Sequence, residues 1–227
     1  MEKITILIPV FNEYNSLEII LKKIEEIDFG LEKEIIIIDD FSTDGTRDLY
    51  KNFSYKILYH EKNQGKGAAL RTGLKEASGD IIIIQDADLE YNPEDYVPLV
   101  EIVKNNEADV VYGSRLANKS NHRNFLILSY LANQVLSLLT RILFKTKITD
   151  METCYKVFRA DFIKDITIES NRFDFEPEIT AKILKKGARY MESPITYNAR
   201  TEHEGKKIGW KDGIHAIIAL IKYRYFN

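Results

Sequence analysis

A single cysteine, Cys154, stands in a chain of 227 residues, so no disulfide framework holds the fold and the composition fits a reducing compartment. No histidine lies near it in a recognisable pattern, which leaves Cys154 a packing residue rather than a nucleophile. The four histidines, His60, His122, His203 and His215, are too scattered for a zinc site. Long hydrophobic runs are also missing. Residues 124–144 are Leu-rich, but only 17 residues separate Arg123 from Arg141, and Ser129, Asn133, Gln134 and Ser137 interrupt them, so no bilayer-spanning helix is expected. Residues 1–10 contain one Lys, one Glu and a short apolar run without a small-residue cleavage site, which reads as a first strand rather than a signal peptide.

Net charge is also small, at −3, yet it is unevenly spread. Residues 111–149 hold six basic side chains (Arg115, Lys119, Arg123, Arg141, Lys145, Lys147) and no acid, and the last 28 residues carry six basic and three acidic groups. Such asymmetry suggests a surface for anions: phosphates, acidic lipids or nucleic acid. No nucleic-acid recognition motif accompanies it, so nucleic acid is not expected as a partner.

The hydrophobic content, 44%, is ample for one large α/β core over 1–227. Strands are expected at 4–9, 34–38, 56–60, 80–85 and 109–113, alternating with helices at 16–27, 46–50, 68–77 and after Asn92-Pro93-Glu94-Asp95. The rhythm calls for a mostly parallel sheet with helices on both faces. Residues 124–144 and 208–226 read as amphipathic helices, lying on a membrane, on another copy of the chain in a homo-oligomer, or in the core. The basic-aromatic end Lys222-Tyr223-Arg224-Tyr225-Phe226 suits an interface.

The most informative string is Ile81-Ile82-Ile83-Ile84, a buried parallel strand, running into Asp86-Ala87-Asp88-Leu89-Glu90. Carboxylates there fall at the carboxyl edge of an α/β sheet, where ligands bind. Asp86, Asp88 and Glu90 alternate, so an extended segment would point them the same way. Three like charges on one face repel unless a cation joins them, and Mg²⁺ or Mn²⁺ with a nucleotide diphosphate fits.

The ordered motifs Ile8-Pro9-Val10-Phe11-Asn12-Glu13, Ile38-Asp39-Asp40-Phe41-Ser42-Thr43-Asp44-Gly45-Thr46, Asn63-Gln64-Gly65-Lys66-Gly67, Gln85-Asp86-Ala87-Asp88, Tyr112-Gly113-Ser114-Arg115 and Thr149-Asp150-Met151-Glu152-Thr153-Cys154-Tyr155-Lys156, with a tail from Glu204 to Gly213, resemble family 2 glycosyltransferases. Those enzymes are inverting and have a GT-A fold. The narrower likeness is to the polyprenyl-phosphate, dolichol-phosphate mannose synthase-like branch, and it covers nearly the whole chain.

The resemblance implies a nucleotide-sugar-binding half, 1–115, and an acceptor-binding half, 116–227. Pro9 would kink the first strand's end, and Pro9, Asn12, Glu13, Asp39, Asp40, Lys66 and Asp86 would hold the nucleotide sugar. Gly65 and Gly67 would permit close backbone approach. Asp88 would bind the metal directly, with Asp86 beside it, and Glu90 sits where some relatives place a Gln ligand. The implied reaction moves a hexose from GDP-mannose or UDP-glucose to a lipid phosphate. Arg115, Arg123 and Arg200, then Lys206 and Lys207, are the candidates to hold the acceptor phosphate. Were the acceptor a hydroxyl, as in growing glycans, a general base would be needed, and Asp150 and Glu176 are the candidates. The catalytic set is thus Asp88, Arg115 and Asp150. A lipid acceptor implies peripheral attachment to the cytoplasmic face of a membrane. A sugar nucleotidyltransferase also has an Asp-rich metal site, but Phe11-Asn12-Glu13-Tyr14 does not resemble its glycine-rich, Arg-containing loop.

Overall fold

Apolar β-branched runs build the centre of the molecule. In the computed structural model, which describes residues 1–118, 121, 127–199 and 210–226, seven strands form one sheet. They are β1 (Lys3–Val10), β2 (Glu32–Asp39), β3 (Lys56–Tyr59), β4 (Ile81–Ile84), β5 (Val110–Ser114), β6 (Lys156–Arg159) and β7 (Tyr190–Pro194), in the order β3-β2-β1-β4-β6-β5-β7. β6 runs antiparallel to both neighbours, with Lys156 opposite Ile84 on one side and Tyr112 on the other; the remaining pairs are parallel. From β1 the chain winds one way to β2 and β3, then returns to β1's other side as β4. That reversal opens a crevice at the carboxyl ends of β1 and β4, the usual place for a ligand in such a sheet.

The described helices are α1 (Leu17–Glu26), α2 (Thr46–Leu49), α3 (Lys66–Glu76), α4 (Tyr96–Lys104), α5 (Ile127–Phe144), α6 (Ala160–Lys164), α7 (Phe175–Lys185) and α8 (Trp210–Tyr225). Alternation along β1 sends Ile4, Ile6, Ile8 and Val10 to one core with α1 and α4. Leu7, Ile36, Ile38, Ile82 and Ile84 face a second core with α3, α5, α7 and α8. The five expected strands and the helices between them are present. β6, β7, α6 and α7 were not foreseen, and β6 enters the sheet between two strands that precede it in sequence.

One expectation needs correction. Pro9 does not kink the strand: β1 stays in register through Pro9↔Ile38 and Val10↔Asp39. Pairing with β4 ends at Leu7↔Ile84, so the missing proline N–H falls where no ladder bond is required. α5 is amphipathic in the inverse sense. Its polar residues Asn133, Ser137 and Thr140 are buried, while Leu131, Val135, Leu138 and Ile142 are 50–67% exposed. α8 carries a matching exposed stripe of Ile214, Ile218, Ile221 and Tyr225. The C-terminal ends of α5 and α8 lie together, with the Arg224 guanidinium 5.5 Å from the Phe144 ring centre.

Gly65 and Gly67 are required by the protein's own packing. A Cβ on Gly65, which has φ +100°, would meet the Asn171 carbonyl oxygen at 2.4 Å, and one on Gly67 the Ser170 carbonyl oxygen at 2.5 Å. The start of α3 is thereby pressed on the segment that leads into α7, and Ala68 N–H donates to Asn171 O. Gly67→Ala is expected to lower stability by about 1–3 kcal/mol through overpacking. Gly213→Ala in α8, where an added Cβ meets nothing within 4 Å, is expected to be neutral or to gain up to about 1 kcal/mol. Thermal unfolding of the two variants checks the contrast.

Candidate active site

The loops after β1 and β2 are interlocked by the acids that the sequence offers to a nucleotide. Asp39, fully buried, accepts from the backbone N–H groups of Phe41 and Ser42, from Arg47 Nε at 2.7 Å, and from the Tyr50 hydroxyl at 2.7 Å. Asp40 accepts from the N–H groups of Gln64 and Gly65 and lies 2.7 Å from His60 Nδ1. Asn12 donates its N–H to Ser42 Oγ and accepts from Thr43 N–H, while Glu13 N–H donates to Thr46 Oγ1. Asn12, Phe41 and Leu89 all have positive φ, one in each loop following β1, β2 and β4. The carboxylates of Asp39 and Asp40 therefore shape the crevice by holding its loops.

The acidic string turns instead of extending, with Leu89 at φ +62°. Glu90 N–H donates to Asp88 Oδ1, and Glu90 Oε2 accepts from the Tyr197 hydroxyl. Among the described residues no three His, Cys, Asp or Glu side chains converge as a metal-holding group. Asp86 and Asp88 supply two hard carboxylates in one turn, a donor set suited to Mg²⁺ or Mn²⁺ whose remaining oxygens would come from a bound diphosphate.

Asp86 is bound to Lys66, the first residue of α3. The Lys66 ammonium lies 2.8 Å from Asp86 Oδ1, 3.0 Å from Glu176 Oε1 and 3.2 Å from Cys154 Sγ. Burial opposes charge on Lys66, but Asp86, with Glu176, outweighs it and holds its pKa well above the usual lysine value. Burial likewise opposes charge on Asp86, and Lys66 reverses this, keeping the carboxyl below its usual range. Burial, with Asp86 and Glu176, pushes the Cys154 thiol well up, consistent with a packing residue. Lys156 is fully buried at the start of β6; it donates to Thr153 O and lies 4.6 Å from the Tyr112 ring centre. Burial lowers its pKa. Burial and then the nearby Glu176 push the Glu152 carboxyl up to about 7.

Arg115 and Asp150 form a buried bidentate pair, Nε to Oδ2 at 2.8 Å and Nη2 to Oδ1 at 2.7 Å. Arg115 N–H and Asn133 Nδ2 also donate to this carboxylate. Asp150 thus accepts four hydrogen bonds, two on each oxygen, and burial notwithstanding, Arg115 holds its pKa below the usual value. This overturns the expectation of a general base: no oxygen is left to take a substrate proton. Arg115, expected to grip an acceptor phosphate, is committed to Asp150 and stacks 5.1 Å from the Tyr197 ring. Arg123, Arg200, Lys206 and Lys207 lie outside the described residues.

The family model for glycosyl transferase family 2 matches residues 5–167. The chain belongs to that family. It is 32% identical to a dolichol-phosphate mannosyltransferase of Pyrococcus furiosus over 215 residues, 91% of this chain and 60% of that protein. It is 30% identical to an undecaprenyl-phosphate mannosyltransferase of Micrococcus luteus, over 91% of this chain and 88% of the relative. A dodecaprenyl-phosphate galacturonate synthase of Rhizobium johnstonii is 26% identical over 99% of this chain and 67% of its own length. The crystal structure of glucosyl-3-phosphoglycerate synthase from Mycobacterium tuberculosis with Mn²⁺, UDP and phosphoglyceric acid superposes with a TM-score of 0.76, covering 100% of this chain and 80% of that one at 18% identity. The glycosyltransferase fold is therefore GT-A, and the protein is a glycosyltransferase.

Within this glycosyltransferase, sequence reasoning missed the roles of Lys156, Glu152, Asn133 and Glu192. Glu192 accepts from Thr149 N–H and Oγ1, from Asp150 N–H and from the Tyr190 hydroxyl, fixing the loop that carries Asp150. One signal was available, a lysine inside the apolar run Tyr155-Lys156-Val157-Phe158. Asp150→Asn is expected to lose about 3–5 kcal/mol in denaturant unfolding by leaving the Arg115 charge buried and uncompensated. A stable variant with slowed turnover and an altered pH profile would instead return Asp150 to the role of base.

Proposed function

We propose that the enzyme transfers a hexose from a nucleotide sugar to a polyprenyl phosphate, with inversion at the anomeric carbon. The observation that carries this reading is the acidic turn after β4, where Lys66 holds the partly buried Asp86 ionised at the sheet's switch point. The names of the relatives, two of them polyprenyl-phosphate mannosyltransferases, support the sugar and acceptor classes. The chain spans 60% of the length of the Pyrococcus furiosus relative.

Displacement at the anomeric carbon develops negative charge on the departing diphosphate. Mg²⁺ or Mn²⁺, held by Asp88 with Asp86 beside it, would supply positive charge there. The interlocked loops after β1 and β2 provide the wall against which the nucleoside end rests, with Phe41 exposed at its rim. A phosphate acceptor, with a second pKa of about 6, arrives largely ionised and needs no base. This agrees with the commitment of Asp150 to Arg115 and of Glu176 to Lys66. The donor is GDP-mannose or UDP-glucose. A glycan hydroxyl as acceptor is favoured by one observation, the Glu152 carboxyl near neutrality, the value suited to a general base.

The apolar stripes of α5 and α8 fit a membrane surface, as a lipid acceptor requires. No helix among the described residues is long and apolar enough to cross a membrane. Arg141, Lys145, Lys147, Lys222 and Arg224 lie in or just beyond these two helices in the sequence, and basic groups near an anionic surface contribute roughly 1 kcal/mol each. The enzyme would thus work peripherally, on the cytoplasmic face.

Radiolabelled transfer from GDP- and UDP-sugars to short polyprenyl phosphate, with Mg²⁺ or Mn²⁺, tests the reaction. Metal-dependent lipid product is expected, falling at least about 100-fold in Asp88→Asn; donor hydrolysis without lipid product would move the acceptor to a hydroxyl. Flotation with anionic vesicles tests the surface. Leu138→Glu with Ile218→Glu, both at exposed positions, is expected to weaken vesicle binding at least about 10-fold without changing the unfolding temperature. Equal binding by this variant would remove the membrane from the reading.

A further inference from the structure

A strap from the far end of the chain crosses the acidic turn. Beyond β7, Thr196 donates through its N–H and its hydroxyl to Asp95 Oδ2, and Asn198 N–H donates to Glu90 O at 2.9 Å. Between them the Tyr197 hydroxyl donates to Glu90 Oε2 at 3.1 Å. Glu90 N–H in turn donates to Asp88 Oδ1 at 3.1 Å. Glu90 is therefore held at its N–H, its carbonyl and its carboxylate, and the first of these contacts falls on Asp88.

Tyr197 reaches Glu90 with little freedom of its own. It is 9% exposed, with the Arg115 guanidinium 5.1 Å from its ring centre and the Tyr91 ring 5.4 Å away. Its N–H donates to Asn121 Oδ1, and Asn121 Nδ2 donates to the carbonyls of Arg115 and Ile195. The direction of the phenol is thus set by the body of the protein before any ligand arrives. The turn needs such an anchor, because Leu89 at φ +62° holds a backbone conformation that a leucine keeps only under outside constraint. We infer that Tyr197 is a positioning residue: acting through Glu90, it orients the Asp88 carboxylate for a divalent cation. The inference rests on the metal-dependent reading above and deepens it. Hydrogen bonds that orient a metal-binding group are worth about 10- to 100-fold in metal affinity. The affinity of the turn for its cation is therefore governed in part by a hydroxyl 107 residues along the chain from Glu90.

The test is Mn²⁺ binding by titration calorimetry on the whole chain, with UDP or GDP present, and thermal unfolding of each variant alongside. Tyr197→Phe keeps the ring and removes only the hydroxyl. Its Mn²⁺ affinity is expected to fall about 10-fold or more, with nucleotide affinity in the absence of metal held within about 2-fold. Glu90→Ala, at a less buried site, should lose as much as Tyr197→Phe and keeps the test open if the tyrosine variant folds poorly. The double variant should fall no more than about 2-fold below either single one, because both remove the same contact. Glu90→Gln, whose amide oxygen still accepts from Tyr197, should bind Mn²⁺ within about 3-fold of wild type. Unchanged Mn²⁺ affinity in folded Tyr197→Phe would overturn the proposal, as would losses that add in the double variant. A loss in Glu90→Ala exceeding that in Tyr197→Phe by more than about 10-fold would overturn it too, and make Glu90 a direct ligand. A wild type that binds no Mn²⁺ with either nucleotide would overturn the metal-dependent reading along with the proposal, a result distinct from each of these.

Discussion

The partly buried ammonium of Lys66 is the contact on which the site's geometry depends. It ties three segments far apart in sequence: the start of α3, the turn after β4 through Asp86, and the first turn of α7 through Glu176. A cation in this low-dielectric position is tolerable only because two carboxylates and a thiol surround it. The Asp86 carboxylate in turn remains ionised because it is there. The two glycines beside Lys66 let α3 approach the 170–172 segment closely enough to bring Glu176 within reach. Charge pairing and backbone packing therefore specify the same arrangement, which is the condition for a rigid site.

Around this contact, acids that look available in the sequence are committed to structure. Asp39 and Asp40 bind loop N–H groups, Arg47 and His60, and Glu192 cradles the loop of Asp150. A carboxylate that accepts several backbone N–H groups sets a loop's shape more firmly than a neutral side chain would. Fixed loops matter for a transfer in which little covalent work falls to the protein and most of the acceleration comes from preorganised charge. The tyrosines extend the same logic. Tyr91 and Tyr96 stack on Tyr155 at 4.6 and 4.2 Å, and the hydroxyls of Tyr96 and Tyr155 both donate to Gln85, at the root of the acidic turn.

α5 joins this interior to the surface. Asn133 on its inner face donates to Asp150, and Ser137 Oγ accepts from Met151 N–H. Its outer face is the exposed stripe from Leu131 to Ile142. One rigid helix thus carries both a buried polar contact to the Arg115–Asp150 pair and the apolar face suited to a lipid surface.

Much of the fold was legible in the chain. Runs such as Ile81–Ile84 and the helical spacing of Leu17, Ile20, Leu21 and Ile24 identify β1 to β5, α1, α3 and α4, because strand and helix periods are local properties. The acidic end of β4 and its place at the carboxyl edge followed from the same pattern. Tertiary structure alone decided the insertion of β6 between β4 and β5, since pairing partners are chosen by the whole sheet. It also decided which side of α5 faces inward: period 3.6 shows that two faces differ, and here buried polar partners at Asp150 and Met151 reverse the usual choice. Which acids are available for chemistry was likewise beyond sequence, because the partners of Asp86 and Asp150 lie 20 and 35 residues away, brought together only by folding.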